Sequence, residues 1–209
     1  MEKFRYYMKR LGRCFLFSHY ATFMTFMISL ISVQFFVDMK SRTLALVIEL
    51  VVLLFYGFTE ILAGMAFGTR QYKAKCSNAY QRLPDSPDLL GYYEKRDTEF
   101  APMNGTLIGL LSHYPLYIFL IVFACLKPGS NAYSFFYTAI MGSTAVVSAP
   151  VAQIFGLQGA MPAALALIIV PITAIFTTAG YFLGAENVKR NRAQAERIEE
   201  KLHDGEEEK

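Results

Sequence analysis

Four ionisable side chains lie within apolar stretches of this 209-residue chain, and their types could support chemistry: Glu49, Glu60, His19 and His113. A charged group is costly inside a hydrophobic span, so such residues commonly line a path for ions or substrates, or pair with one another. Glu49 and Glu60 are eleven residues apart, which places them within about 20° of each other on one helical face. The sequence therefore predicts a polar site surrounded by hydrophobic residues.

Glu60 and His113 are predicted to lie at the same depth in the membrane. Glu60 precedes Gly68, the end of one apolar run, by eight residues, and His113 follows Gly105, the start of the next run, by the same number. Each side chain would then lie ~12 Å from the same surface. Because an imidazolium offsets part of the cost of burying a carboxylate, we predict that Glu60 and His113 are partners. The pair would act as a proton-responsive gate or as a structural hydrogen bond, and His19 is the alternative partner of Glu60.

The elements that position these residues are hydrophobic helices. Hydrophobic residues make up 54% of the sequence and the mean hydropathy is +0.32, which is too apolar for an ordinary soluble domain. A helix needs ~20 apolar residues to cross ~30 Å of hydrocarbon. The chain is therefore predicted to be an all-α polytopic membrane protein, with transmembrane helices at 15–37, 43–68, 105–126 and 161–184.

Proline and glycine interrupt the apolar sequence after residue 104. Pro115 lacks the N–H that would continue a helix, so it predicts a kink in the third span. The apolar segment 131–160 contains Gly142, Pro150 and Gly156, which predict a broken helix. Broken backbone is tolerated at membrane depth where protein or a water-filled cavity surrounds it. We interpret this segment as a re-entrant hairpin or two short crossings; the alternative is five plain spans.

Small residues recur at helical spacing along the spans. In the first span, the hydroxyl residues spaced four and three apart are Ser18, Thr22, Thr25, Ser29 and Ser32. The glycines of the later spans that mark similar faces are Gly57, Gly64, Gly68, Gly105, Gly109, Gly180 and Gly184. In lipid, such residues mark the faces where helices approach closely. We predict that the hydroxyl seam packs against the glycines of the second span; these faces also suit a homo-oligomer or a membrane partner subunit.

Charged residues divide the chain into five regions. These are a basic N-terminus (1–14), a transmembrane hairpin (15–68), a cytoplasmic loop with short helices (69–104), a second transmembrane half (105–184) and a charged tail (185–209). We interpret the N-terminus as a short helix at the membrane surface or as a basic flank. The tail is interpreted as a solvated segment, or as a short helix that contacts a partner.

Basic residues predict the orientation. Five Lys and Arg residues lie in 1–13, six in 69–104 and four between Lys189 and Arg197. Cytoplasmic segments carry an excess of such residues, so both termini are predicted to be cytoplasmic in a plasma-membrane protein that contacts the lipid bilayer. An even number of crossings must then separate the loop from the tail, which a re-entrant segment 131–160 allows. The basic residues form no continuous stripe, so nucleic acid is not a predicted partner.

No sequence motif indicates an enzyme. The chain lacks HExxH, GxSxG, the P-loop and the glycine-rich dinucleotide turn. Cys14, Cys76 and Cys125 are isolated in sequence, so no metal site, cofactor or disulfide framework is predicted. Two classes of function remain. One is a small transporter or transporter component with a polar path through Glu60 and His113. The other is a non-catalytic membrane scaffold or accessory subunit that acts through its packing faces, loop and tail.

Overall fold

The computed structural model describes residues 2–38, 41–76, 100–101, 103–156 and 163–207. Within these ranges every regular element is a helix, so the predicted all-α class is confirmed. The elements are α1 (Glu2–Asp38), α2 (Arg42–Cys76), α3 (Met103–Leu111), α4 (Tyr114–Ala124), α5 (Asn131–Ser143), α6 (Ala145–Phe155), the 3-10 helix η1 (Ala163–Ile168) and α7 (Ile169–Glu207). The short helices predicted in 69–104 and the last residues of the broken segment, 157–160, fall largely outside the described ranges.

Three helical stretches are long and apolar enough to cross a membrane: Arg10–Gln34, Thr43–Ala74 and Leu165–Ile198. Two bent pairs, α3 with α4 and α5 with α6, pass the same test together, which raises the number to as many as five. Large apolar side chains cover the outside of the bundle; Leu16 and Leu54, for example, are 72% and 74% exposed. A surface of this kind suits hydrocarbon better than water. Helix length and surface composition therefore agree with a membrane protein.

Both ends of the chain extend the apolar helices. Residues 2–14, which we interpreted as a short helix at the membrane surface or as a basic flank, are the first turns of α1 and lead directly into the first apolar stretch. At the other end, α7 continues past Gly184 to Glu207, and its side chains from 191 to 198 are exposed. The tail is rich in Glu, Ala, Arg and Lys, which favour helix without tertiary packing. The tail is therefore helical as far as Glu207, and its side chains from 191 to 198 are exposed.

The third apolar stretch bends by 46° between α3 and α4. α4 begins at Tyr114 and carries Pro115 in its first turn. Proline is favoured there because it cannot donate its backbone nitrogen, so the regular helix ends at Leu111 and restarts after the break. The predicted kink is confirmed, and it leaves His113 at the break.

The segment predicted to be broken bends by 95° between α5 and α6. The break lies at Thr144, two residues after Gly142, whereas Pro150, which we expected to contribute to the break together with the glycines, lies inside α6. Pro150 has no N–H, so this 11-residue helix lacks one of its backbone hydrogen bonds but continues past the proline. Gly156 ends α6 with φ of 67°, a left-handed conformation that glycine adopts without strain. Eight residues of α6 are buried, so protein surrounds this irregular segment.

The closest helix contact joins α2 and α7, which run parallel. An added Cβ on a glycine of either helix would overlap a backbone carbonyl of the other. The contacts pair Gly64 with Thr177, Gly68 with Tyr181, Gly180 with Ile61 and Gly184 with Met65. Residue numbers rise together along the two helices, which establishes the parallel direction. α1 runs antiparallel to α2.

The glycines of α2 face α7 and not, as we expected, the hydroxyl seam of α1. Gly57 contacts the ring of Phe176, and Gly64 and Gly68 meet backbone atoms of α7. The physical reason is that α7 carries glycines in matching register, so both backbones can approach closely. On α3, Gly105 and Gly109 also face α7. α7 is therefore the central helix against which α2 and α3 pack.

The hydroxyl seam of α1 is divided between two partners. Four of its five members, Ser18, Thr25, Ser29 and Ser32, are buried. Thr22 donates a 2.7 Å hydrogen bond to the carbonyl of Ser112 at the break between α3 and α4, whereas Thr25 bonds to side chains of α2. The seam therefore packs on α2 only in part.

Candidate functional site

A chain of hydrogen bonds crosses the bundle from Glu60 to His113. Thr25 Oγ1 lies 3.3 Å from Glu60 Oε1 and 3.3 Å from Tyr56 Oη, with geometry for donation to either. Tyr56 Oη is hydrogen-bonded to Thr173 Oγ1. Thr173 Oγ1 in turn lies 2.8 Å from His113 Nε2. These five side chains, from α1, α2, α7 and the break between α3 and α4, form what we call the polar relay.

Helix geometry places the members of the polar relay at one level. Tyr56 and Glu60 are one turn apart on α2, and both are fully buried. Thr173 lies one turn before Thr177, as Glu60 lies one turn before Gly64, so the parallel α2–α7 contact aligns them. His113 is 4% exposed and occupies the break before α4. Buried polar groups need partners, and these five supply one another.

The polar relay can hold its hydrogens in two arrangements. Thr25 has a single hydroxyl hydrogen and two acceptors, Tyr56 Oη and Glu60 Oε1. An ionised Glu60 accepts that hydrogen, whereas a protonated Glu60 can donate to Thr25 and turn the Thr25 hydrogen towards Tyr56. Tyr56 and Thr173 have the same freedom, because either oxygen can be the donor. Protonation of Glu60 can therefore change the hydrogen bond that His113 Nε2 makes.

The His113 end of the polar relay opens on a groove of about 370 Å³. Its apolar wall includes Phe23, Phe26, Leu116 and Phe119, and its polar groups include Thr25, Ser112, His113 and Thr144. A mostly apolar cavity with a few convergent polar groups is typical of small-molecule sites. Because Thr25 and His113 belong to both features, the relay and the groove form one candidate site.

Glu60 and His113 are connected indirectly, and not by the direct contact that we expected. The hydroxyl groups of Thr25, Tyr56 and Thr173 stand between the two residues. The reason is that α7 packs against both α2 and α3 and places Thr173 between them. Glu60 and His113 therefore belong to one hydrogen-bond network, as their similar depth on neighbouring spans suggests, but they do not contact each other.

The other two predicted polar residues lie outside the polar relay. His19 is exposed on α1, where Nδ1 lies 2.8 Å from the carbonyl of Phe15 and the ring packs against Tyr114. It borders the groove but does not bond to Glu60. Glu49 is fully buried and faces Ser32 of α1. His19 therefore belongs to the rim of the candidate site, and Glu49 to a separate location.

Sequence reasoning missed Tyr56 and Thr173. Tyr56 lies one turn before Glu60, so a search for polar neighbours four residues away on the same helix would have found it. Thr173 is one of several hydroxyl residues on α7, and its sequence neighbours carry no ionisable group that singles it out. Its role depends on the parallel contact between helices more than 100 residues apart, which one sequence does not reveal.

A second buried polar cluster lies at the end of the bundle that carries the basic residues. Arg10 Nε donates to Asn104 Oδ1 at 2.6 Å, and Asn104 Nδ2 donates to Gln71 Oε1 at 2.7 Å. Tyr181 Oη donates to the same oxygen of Gln71 and accepts from the Ala101 N–H at 3.2 Å. These bonds join α1, α2, α3 and α7. We call this cluster the polar clamp, because it fixes four helices to one another.

Among the residues that the structure describes, no three His, Cys, Asp or Glu side chains converge as a metal site would require. The chain matches no protein-family model, no curated protein and no solved structure. The polar relay and the groove are therefore the features of the molecule that bear on its function.

Proposed function

We propose that this protein is a small plasma-membrane transporter, or a component of one, in which the polar relay couples protonation of Glu60 to a ligand in the groove. One observation carries the proposal: hydroxyl groups connect a fully buried carboxylate, Glu60, to His113 on the groove. Intramembrane ionisable residues that face the interior of a bundle commonly mark ion and substrate paths. A purely structural hydrogen bond would not need a groove at one end.

The hydroxyl hydrogens of the polar relay provide a mechanism that couples Glu60 to the groove. When Glu60 takes up a proton, the Thr25 hydrogen turns from Glu60 to Tyr56, and Tyr56 and Thr173 reorient in the same direction. Thr173 then donates to His113 Nε2, so a neutral imidazole must carry its hydrogen on Nδ1. A ligand that hydrogen-bonds to this ring would have a different affinity in the two states. Such a difference in affinity is what couples two sites.

Four full spans with both termini in the cytoplasm form part of this proposal. The parallel packing of α2 and α7 supports it, because α2 must end on one side of the membrane and α7 must start on the other. The bent pair α3–α4 supplies that single crossing. The pair α5–α6 then adds no net crossing, and its 95° bend suits a re-entrant segment. Five plain spans would make α2 and α7 antiparallel.

Proton flux in proteoliposomes tests the transport proposal. Purified protein is reconstituted with an internal pH-sensitive dye, and the decay of an imposed pH gradient is recorded. Wild type should dissipate the gradient faster than protein-free vesicles, and Glu60→Gln should return the rate to that of the empty vesicles. Glutamine keeps the size and hydrogen bonding of glutamate but cannot exchange a proton. Equal rates for wild type and Glu60→Gln would reject the proposal.

Glu186→Gln is the matched control for this experiment. Glu186 lies on α7 just after the predicted span 161–184, where it is exposed and pairs with Lys189 and Arg190. Exposed ion pairs contribute little to stability, so its loss should leave both the fold and the flux unchanged. A similar loss of flux in both variants would indicate a general effect of removing a carboxylate.

A membrane scaffold or accessory subunit is the second candidate, and the exposed tail of α7 favours it. Ile198 is 59% exposed on this solvated helix, and an exposed apolar side chain there suits contact with a partner. A protein truncated before residue 191 separates the two functions. Unchanged proton flux would place transport in the bundle alone, whereas loss of flux from a folded bundle would favour the accessory role.

A further inference from the structure

Buried oxygen atoms without hydrogen-bond partners are concentrated between α1 and α2. Within the part of the chain that the structure describes, five of the six such atoms are Ser29 Oγ, Ser32 Oγ, Glu60 Oε2 and both carboxylate oxygens of Glu49, and the sixth belongs to α6. Buried polar atoms are normally paired, and an exception commonly marks the place of a water molecule or an ion. Glu60 already accepts one hydrogen bond within the polar relay. Glu49 accepts none, and it therefore needs a separate explanation.

Glu49 is enclosed by protein at membrane depth. Glu49, Ser29 and Ser32 are each 0% exposed. The Ser32 hydroxyl faces the Glu49 carboxylate without forming a hydrogen bond, and Ser29 lies one turn along the same seam of α1. Glu49 is seven residues from the start of α2, about 10 Å along the helix. α6 packs against both α1 and α2.

The charge of Glu49 is not balanced by any described side chain, because its two oxygens have neither a hydrogen-bond nor an ion-pair partner among them. An isolated carboxylate at this depth is costly. A proton on Glu49 would cancel the charge, but at the present positions of the atoms it would give neither serine oxygen a partner. A bound cation would balance the charge and take the carboxylate and hydroxyl oxygens as ligands at the same time.

We infer that Glu49, Ser29 and Ser32 form a binding site for one small monovalent cation, Na⁺. Carboxylate and hydroxyl oxygens are hard ligands that suit hard cations. A single carboxylate supplies one negative charge, so a monovalent ion leaves the site neutral, whereas a divalent ion would leave a positive charge buried in the membrane. Serine side chains on α1 bring the two helices close together, which favours Na⁺ over the larger K⁺.

The cation site is distinct from the polar relay. Glu49 and Glu60 are eleven residues apart on α2, about 16 Å along the helix axis. Both sites lie between the same two helices, so an ion that bridges Ser32 and Glu49 also fixes the position of Thr25 relative to Glu60. If the proposed transport function holds, Na⁺ would be a coupling ion. Binding of Na⁺ does not itself depend on transport.

Thermal unfolding of the purified full-length protein in detergent tests the site. The chain has no Trp, so unfolding is followed by circular dichroism at constant ionic strength, with choline chloride replacing NaCl or KCl. The Tm of wild type should rise by at least about 2 °C between zero and ~100 mM Na⁺, because a ligand that binds the native state stabilises it. Glu49→Gln should abolish the Na⁺-dependent rise, whereas Glu186→Gln should retain it.

Several results would overturn the inference. Stabilisation of wild type by K⁺ equal to that by Na⁺, or a larger effect of Ca²⁺, would contradict a Na⁺ site. A Tm that responds to pH but not to Na⁺ would identify a proton site only. If Glu49→Gln does not fold, Ser29→Ala and Ser32→Ala each remove one ligand and should weaken the binding of radioactive sodium about tenfold. Unchanged binding in both serine variants would overturn the inference as well.

Discussion

At the residue scale, Thr173 is the branch point of the polar relay. Its hydroxyl has one hydrogen and three neighbours: the carbonyl of Ile169 at 2.9 Å, Tyr56 Oη, and His113 Nε2. When Thr173 donates to Ile169, it must accept from both Tyr56 and His113. When it donates to His113, the bond to Ile169 opens. The direction of this one hydroxyl therefore determines which tautomer of His113 is present in the proposed mechanism.

Replacement of Thr173 by valine tests this role, because valine keeps the shape of threonine and removes the hydroxyl. We expect proton flux in proteoliposomes to fall about tenfold or more, because the relay loses the hydroxyl that bonds to both Tyr56 and His113. The matched control is Thr178→Val on the same helix, which loses a 2.9 Å bond to Thr106 outside the relay. Equal flux in the two variants would show that Thr173 is only structural.

The polar clamp makes a prediction about stability. Asn104 is 2% exposed and bonds to both Arg10 and Gln71. Asn104→Ala leaves buried groups of both partners unsatisfied, so the free energy of unfolding should fall by about 1–3 kcal/mol. Asn131→Ala, at an exposed position, should change it by less than about 0.5 kcal/mol. Denaturation in detergent micelles measures both, and equal stability of the two variants would contradict a fastening role for the clamp.

At the scale of elements, the contact between α2 and α7 should be the least tolerant of added volume. A Cβ on Gly180 would overlap the backbone carbonyl of Ile61, and backbone cannot move aside as a flexible side chain can. Gly180→Ala should therefore destabilise the protein by about 1–3 kcal/mol. In contrast, a Cβ on Gly142 of α5 meets no atom within 4 Å. Gly142→Ala should be neutral or stabilising, since alanine favours helix.

Thermal unfolding of the two alanine variants, side by side with wild type, measures this difference. Both substitutions add one methyl group to a helical glycine, so their helix propensities change equally and only the packing differs. A Gly180→Ala protein as stable as Gly142→Ala would mean that α2 and α7 do not pack through their glycines in lipid or detergent.

The helices themselves could be predicted from the sequence because their causes are local. Apolar runs of sufficient length predict α1, α2 and α7, and Pro115 predicts the bend before α4. In segment 131–160, Gly142 lies two residues before the break at Thr144 and Gly156 ends α6, whereas Pro150 lies within α6 and does not break it. The local sequence therefore predicts where helices form, but it predicts less reliably where they end.

Helix pairing could not be predicted in the same way. The glycines of α2 suit a close partner, but both the hydroxyl seam of α1 and the glycines of α7 meet that requirement. Only the folded bundle shows that α7 is the partner and that α1 is shared between α2 and the α3–α4 break. The polar relay follows from this choice, because Thr173 reaches Glu60 and His113 only through α7. This is why the sequence identified the two ends of the relay but not its centre.

At the scale of the whole molecule, helix direction gathers the charged segments at one end. α1 and α3 run parallel, since Arg10 bonds to Asn104 and Thr22 bonds to Ser112. α2 and α7 run parallel to each other and opposite to α1. The start of α1, the end of α2 and the tail of α7 therefore share one end of the bundle. The polar clamp lies at that end, so the same contacts that join the helices also bring the basic residues together.

This arrangement makes a prediction about topology that does not depend on counting charges. Because α2 and α7 are parallel, the loop after α2 and the tail after α7 must lie on the same side of a membrane. The connection between α4 and α5 must lie on the opposite side.

Fusions of green fluorescent protein and of alkaline phosphatase after Arg82, Gly129 and Lys209 test this in bacterial cells. We expect fluorescence after Arg82 and Lys209 and phosphatase activity after Gly129, because the basic regions favour the cytoplasm. If one of the positions Arg82 and Lys209 gave fluorescence and the other gave phosphatase activity, α2 and α7 would have to be antiparallel. That result would exclude the glycine contact between the two helices and, with it, the alignment of Thr173 with Glu60 that the polar relay requires.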